Sequence, residues 1–247
     1  MIKLYRKNPE NFALAWIGIY CLVQSLSNGI SAAIGIPKSA NALLALIQAI
    51  YLLWWLRKYG LMGEFSLNKP VQSGKNMLFY LPLILVSTDS LWWGFRVKLA
   101  PAELFFHILL MVCVGFLEEL IFRGFLFEAL RKKSLKTAVI VSSLTFGIGH
   151  IINLFNGSGM SLAVNLLQIL FAILVGFLFV MVYLHSGSLI PCILSHQAIN
   201  ILSAFSNYPT SQGHGPLIIQ ILILTALILI YLPVLAKTAP LPRKQAE

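Results

Sequence analysis

The chain has 247 residues, of which 58% are hydrophobic and only 11% charged, with a formal net charge of +10. A soluble domain of this length carries about a quarter charged residues, so the deficit excludes an ordinary soluble globule and points to a polytopic membrane protein. The apolar runs are continuous rather than alternating, which argues against a β-barrel, and Lys and Arg cluster in short connections rather than on one face, which argues against a nucleic-acid partner.

In chain order, eight apolar segments approach the ~20 residues that cross a hydrocarbon core. They are Phe12–Ile34, Asn41–Leu56, Met77–Phe95, Leu104–Phe127, Thr137–Ile152, Leu162–Leu184, Leu189–Ala204 and Leu217–Ala236. The second, fifth and seventh are short. The first follows Lys3, Arg6 and Lys7, is too long for a signal peptide and lacks a small-residue cleavage site, so it reads as a retained span. The fold expected is all-α, a transmembrane helical bundle of about eight spans. No internal repeat is visible, and one structural domain is expected, with a first group of spans over 1–100, a core over 101–204, and a last span with a basic tail over 205–247.

Orientation follows from the basic residues. The amino terminus, the second connection (Arg57, Lys58, Lys69, Lys75), the fourth (Arg131, Lys132, Lys133, Lys136) and the tail (Lys237, Arg243, Lys244) together hold 14 of the 18 Lys and Arg, against Lys38, Arg96 and Lys98 in the opposite connections. The positive-inside rule then puts both termini in the cytoplasm. Trp54, Trp55, Trp92 and Trp93 lie near span ends, where interfacial aromatics belong. Cys21, Cys113 and Cys192 sit inside apolar segments without metal-ligand spacing and read as small buried hydrophobes.

Three polar clusters break the apolar pattern: Glu118 and Glu119 with Arg123 on the fourth segment, Phe146 to His150 on the fifth, and His196 with Asn200 on the seventh. An ionisable group in a span costs at least a few kcal/mol and marks a functional site by default. Glu118 lies 13 positions before Arg131 and His150 14 after Lys136, each about 20 Å from the same basic connection at 1.5 Å per residue. His196 and Asn200, measured from Gly187, reach roughly 14–20 Å. The clusters therefore share a depth. Glu119 and Arg123 are four apart and share a helix face, as do His196 and Asn200, while Glu118 points about 100° from Glu119. Glu119–Arg123 reads as an ion pair, leaving Glu118 as the free carboxylate. Gly115, Gly124, Gly147 and Gly149 allow close helix approach.

A carboxylate and a neutral imidazole sharing a water can make it a nucleophile, and an imidazole with a side-chain amide can hold an oxyanion. Glu118, His150 and His196 are equally a candidate zinc set, although no H-E-x-x-H helix is present, and the cofactor is open between a divalent metal and none. Hydrolysis of an amide fits this set best.

The words Glu118-Glu119-Leu-Ile-Phe-Arg123-Gly, Phe146-Gly-Ile-Gly-His150 and His196-Gln-Ala-Ile-Asn200 resemble the three motifs of the CPBP family. This family comprises type II, glutamate-dependent CAAX prenyl proteases and bacteriocin-processing or immunity (Abi) proteins. The resemblance covers residues 101–204. It implies an intramembrane endopeptidase of a prokaryotic cell membrane, with a CAAX-protease-like core, a cavity open to the cytoplasm and the lipid, and a membrane-associated peptide or protein substrate. Glu118 and His150 would activate water, His196 and Asn200 would hold the oxyanion, and Glu119, Arg123 and Phe146 would support them. Members are often labelled metalloproteases, and a metal-free glutamate mechanism is also proposed.

The remaining polar residues have plainer readings. His185 and His214 fall in connections and read as solvated, and Glu103 with His107 reads as an interfacial pair. Asp89, Tyr183, Asn153 and Gln168 are further candidates for a cavity wall. The alternative function is a non-enzymatic self-immunity or scaffold protein using the same cavity. A coupled transporter is disfavoured because no repeat symmetry is visible.

Overall fold

A computed structural model describes residues 1–72, 80–155, 161–209 and 213–238. The chain is helical: α1 Ile2–Lys7, α2 Pro9–Ile34, α3 Ser39–Lys58, α4 Tyr80–Ser87, α5 Pro101–Glu119, α6 Glu128–Arg131, α7 Leu135–Gly149, α8 Leu162–Ser186, α9 Ile190–Ser203 and α10 Gly215–Thr238. Leu120–Phe127 forms a π-helix that joins α5 to α6 into one rod, and 3₁₀ turns over Asp89–Trp93 and His150–Leu154 follow α4 and α7. Local chemistry sets several starts. Asn8, Ser134 and Ser161 each accept a bond from a first-turn amide, and Pro101 stands at the first turn of α5, where its missing N–H costs nothing.

Six helices among the described residues are long and apolar enough to cross a membrane: Pro9–Ile34, Ser39–Lys58, Pro101–Arg131, Leu135–Leu154, Leu162–Ser186 and Gly215–Lys237. About eight spans are expected from the sequence; among the described residues six helices reach this length and composition. Of the third segment, the described part holds α4 over Tyr80–Ser87, after which the chain turns at Asp89 and at Gly94 with φ 91°; its first residues lie outside the described ones. The seventh becomes α9, 14 residues or about 21 Å. α4 packs on α9 and α10, and α9 on α5 and α8. Backbone that does not span is tolerated at membrane depth where protein surrounds it.

The basic connections meet at one end of the bundle. Lys133 pairs with Glu10 at 2.7 Å, Tyr5 bonds Glu64, and the Leu189 and Ser186 backbones bond Ser66 and Val71. Trp55 is buried there and stacks on Phe12 at 5.2 Å, so it belongs to the core, whereas Trp54 is exposed under Lys58. His185 is buried in the last turn of α8 rather than solvated, because that helix runs on to Ser186. Leu22, Leu26 and Ile30 on α2 and Leu222, Leu229 and Ile230 on α10 are exposed, the inside-out pattern of helices that face lipid.

Glycines permit two of the closest contacts. A Cβ on Gly147 would fall 2.3 Å from Ile173 Cγ1 and 2.7 Å from its backbone nitrogen, and one on Gly115 would fall 2.6 Å from Gln197 Cγ. Gly149, by contrast, faces open space. Gly147→Ala is expected to push α8 away from α7 and lower stability by about 1–3 kcal/mol, the usual cost of overpacking. Thermal unfolding in detergent checks this, with Gly149→Ala as the substitution free of that clash.

Candidate active site

The three polar clusters meet in the interior. Glu118, His150, His196 and Asn200 all line one cavity of about 280 Å³, whose walls come from α2, α3, α5, Phe122 of the π-helix, α7 with its 3₁₀ turn, α8 and α9. Glu118 turns toward it as the helical offset from Glu119 predicts. Its Oε1 accepts a bond from Tyr20 Oη at 2.6 Å, and its Oε2 lies 3.7 Å from His196 Nε2.

Glu119 and Arg123 sit behind the cavity, fully buried, with Arg123 Nη1 2.9 Å from Glu119 Oε1. The guanidinium lies 4.1 Å from the centre of the Phe146 ring and 5.5 Å from that of Phe179, close enough for a cation–π contribution. Glu119 does more than the pairing read from sequence: the same Oε1 is 2.9 Å from His196 Nδ1. A carboxylate oxygen only accepts, so Nδ1 donates. One carboxylate thus fixes the ring and turns Nε2 toward Glu118, the arrangement by which an orienting acid sets a catalytic imidazole.

His150 is set by the same logic. Its Nδ1 donates to the Phe146 carbonyl at 3.1 Å, and its own carbonyl accepts from Asn165 Nδ2 at 2.9 Å. In the neutral ring Nε2 is then the acceptor. The π-helix follows Glu119 directly and is buried throughout. Such segments leave carbonyls out of the regular ladder, and Ser142 Oγ on α7 bonds that of Phe122 at 2.9 Å, tying the two motif helices together.

At the far end Lys38 Nζ donates to His107 Nδ1 at 2.9 Å, and His107 Nε2 donates to the Asn200 carbonyl at 3.2 Å. Lys38 also lies 3.8 Å from Glu103. Glu103 and His107 therefore do not pair with each other; both hold Lys38, and the chain of contacts fixes the α9 turn that carries Asn200. Burial pushes the Lys38 ammonium below its ordinary range, with Glu103 acting in the opposite direction.

Of the further wall candidates, Asn153 and Gln168 do line the cavity. Asp89 bonds Gln220 on α10 at 2.9 Å and Tyr183 bonds Glu128 at 2.6 Å, neither at the cavity. Tyr20 was missed by sequence reasoning. Its signal was the spacing Tyr20, Gln24, Asn28, a polar stripe at every fourth position of an apolar helix, and all three line the cavity. Cys21 lines it as well and is half-buried, while Cys113 and Cys192 are buried.

The candidate zinc set does not fit a metal as it stands. Among the described residues no three His, Cys, Asp or Glu side chains converge as a metal site requires, although Glu118 and His196 approach each other at 3.7 Å.

The helices and this cluster define an integral membrane bundle with an ionisable site in its interior. Residues 100–202 match the family described as Type II CAAX prenyl endopeptidase Rce1-like. Over that segment, less than half of the chain, it is similar to this family of CAAX-type proteases. No curated protein and no solved structure matches the chain.

Proposed function

We propose that the protein is an intramembrane endopeptidase that hydrolyses a peptide bond of a membrane-associated peptide or protein. The observation that carries this reading is the convergence of Glu118, His150, His196 and Asn200 on one cavity of about 280 Å³, large enough for a substrate carbonyl and a water. Glu118, with His150 Nε2, takes a proton from the water as it attacks the carbonyl carbon. The carbonyl oxygen gains the charge and is met by the Asn200 amide, beside the His196 ring. The proton on Glu118 passes to the leaving nitrogen, the C–N bond breaks, and a carboxylate and an amine result. Glu119 holds His196 through Nδ1, and Arg123 holds Glu119.

Comparing the membrane peptides of cells carrying the wild-type protein with those carrying Glu118→Ala tests the reading and identifies the substrate. Cleavage products present only with wild type support it. The alternative, an immunity or scaffold protein that binds a partner through the same cavity, predicts a partner-dependent phenotype that survives both Glu118→Gln and His196→Ala.

Tyr20→Phe tests the α2 contribution. Losing a bond to a charged group removes about 1.5–3 kcal/mol, so the unfolding temperature is expected to fall, and kcat to fall by as much as about tenfold to a hundredfold as Glu118 loses its fixed position. Steady-state kinetics on the purified protein measures it.

A further inference from the structure

We infer that Asn165 is a positioning residue for His150: from α8 it holds the backbone turn on which that imidazole stands, and Gln168, one turn further along, completes the hold. The part this plays in hydrolysis rests on the peptidase reading; the placing of His150 does not.

Between Leu162 and Val182 every residue of α8 except Asn165 and Gln168 is apolar or glycine. The two are three apart and share a helix face. Asn165 is fully buried, and a carboxamide in that position costs free energy unless it is hydrogen-bonded. Its Nδ2 donates to the His150 carbonyl at 2.9 Å. Gln168 Oε1 accepts from Asn153 Nδ2 at 2.9 Å and lies 3.5 Å from Asn165 Nδ2. The pair therefore brackets the turn, taking the backbone of His150 at one end and the side chain of Asn153 at the other.

The turn needs such a hold. α7 gives way after Gly149, and His150 is the first residue of the 3₁₀ stretch that runs to Leu154. Carbonyls at the end of an α-helix leave its ladder, and 3₁₀ bonds have poorer geometry. The bond from His150 Nδ1 to the Phe146 carbonyl at 3.1 Å and the edge contact of the two rings at 5.3 Å fix the imidazole to α7, but not the turn to the bundle. Asn165 supplies that second point from a neighbouring helix. Register brings it there: from Ser143 through Gly147 to Asn153, the facing residue on α8 runs back from Gly176 through Ile173 to Gln168. A Cβ on Gly176 would fall 3.0 Å from the Ser143 carbonyl oxygen, so the two helices touch backbone to backbone and the amides beyond them have little room to shift. A displacement of about 1 Å in a reacting group can cost a hundredfold in rate.

Carbethoxylation of the purified full chain by diethylpyrocarbonate, read histidine by histidine by mass spectrometry, tests the hold without any need of hydrolysis. The reagent attacks an unprotonated imidazole nitrogen, which in the neutral His150 ring is Nε2. Asn165→Leu, of similar volume but with no donor, is expected to speed labelling of His150 several-fold and to leave the buried His107, His185 and His196 as slow as in wild type. A general loss of packing would speed all four together. With the peptide found by the Glu118→Ala comparison as substrate, kcat is expected to fall about tenfold to a hundredfold at unchanged KM. Gln168→Met keeps its volume at a half-buried position; it should move His150 the same way by less, and it decides the matter where Asn165→Leu does not fold. His150 labelling that stays at the wild-type rate, buried histidines that speed up together, or an unchanged kcat overturns the inference. A protein that labels as described but whose wild type cleaves nothing sinks the peptidase reading alone.

Discussion

Glu118→Gln is expected to remove peptide hydrolysis by the purified protein while leaving its fold intact. The substitution keeps the shape of the side chain, and a glutamine oxygen still accepts the Tyr20 hydroxyl that lies 2.6 Å from Glu118. What it removes is the capacity to take a proton from water. A positioned general base contributes about 10²–10⁴-fold, so kcat should drop by that range or to the limit of detection. Stability should hold or rise, since a carboxylate at membrane depth costs free energy that an amide does not. His196→Ala should cost a similar factor for a different reason: it deletes the ring that Glu119 orients at 2.9 Å and that faces Glu118 at 3.7 Å. Groups that act as a unit are non-additive, so the double variant should be scarcely worse than either single one. Kinetics on all three proteins, with unfolding temperatures alongside, decide the matter. Hydrolysis at the wild-type rate by Glu118→Gln overturns the mechanism.

Much of the site was legible because its residues are expensive. In an apolar chain each Glu, His and Asn needs a reason, and the common depth of Glu118, His150 and His196 follows from rise per residue alone. The division between Glu118 and Glu119 was legible too, from the turn between neighbouring helix positions. Apolar runs, however, report what avoids water and not what crosses a membrane. The run that became α9 is as apolar as a span, and its packing between α5 and α8 explains how a 14-residue helix is accommodated. Tyr20 stayed hidden because a tyrosine in an apolar helix is ordinary, and its role arises from the approach of α2 to Glu118 across the bundle. The second bond of Glu119 was hidden for the same reason: an i, i+4 pair is visible in sequence, whereas a contact with His196 on another helix is not.

Arg123→Met should be the most destabilising substitution near the site. Arg123 is among the largest fully buried side chains, and its charge faces Glu119, which is also fully buried. Methionine fills much of the stem and can still lie between Phe146 and Phe179, so the packing loss is modest. The electrostatic loss is not. Glu119 would keep His196 Nδ1 as a partner but would lose the guanidinium at 2.9 Å. Removing one member of a buried pair costs about 3–5 kcal/mol, chiefly because the other charge is left uncompensated. The double variant Glu119→Gln with Arg123→Met removes that orphan charge and should recover part of the stability, since replacing both members of a buried pair is often close to neutral. It should not recover activity, because a glutamine at 119 no longer offers His196 a carboxylate. Unfolding in mixed micelles, measured for the two single variants and the double, gives the coupling between the residues directly. A double variant as unstable as the sum of the singles would mean that the two residues act independently, and that Glu119 is held in place by something other than Arg123.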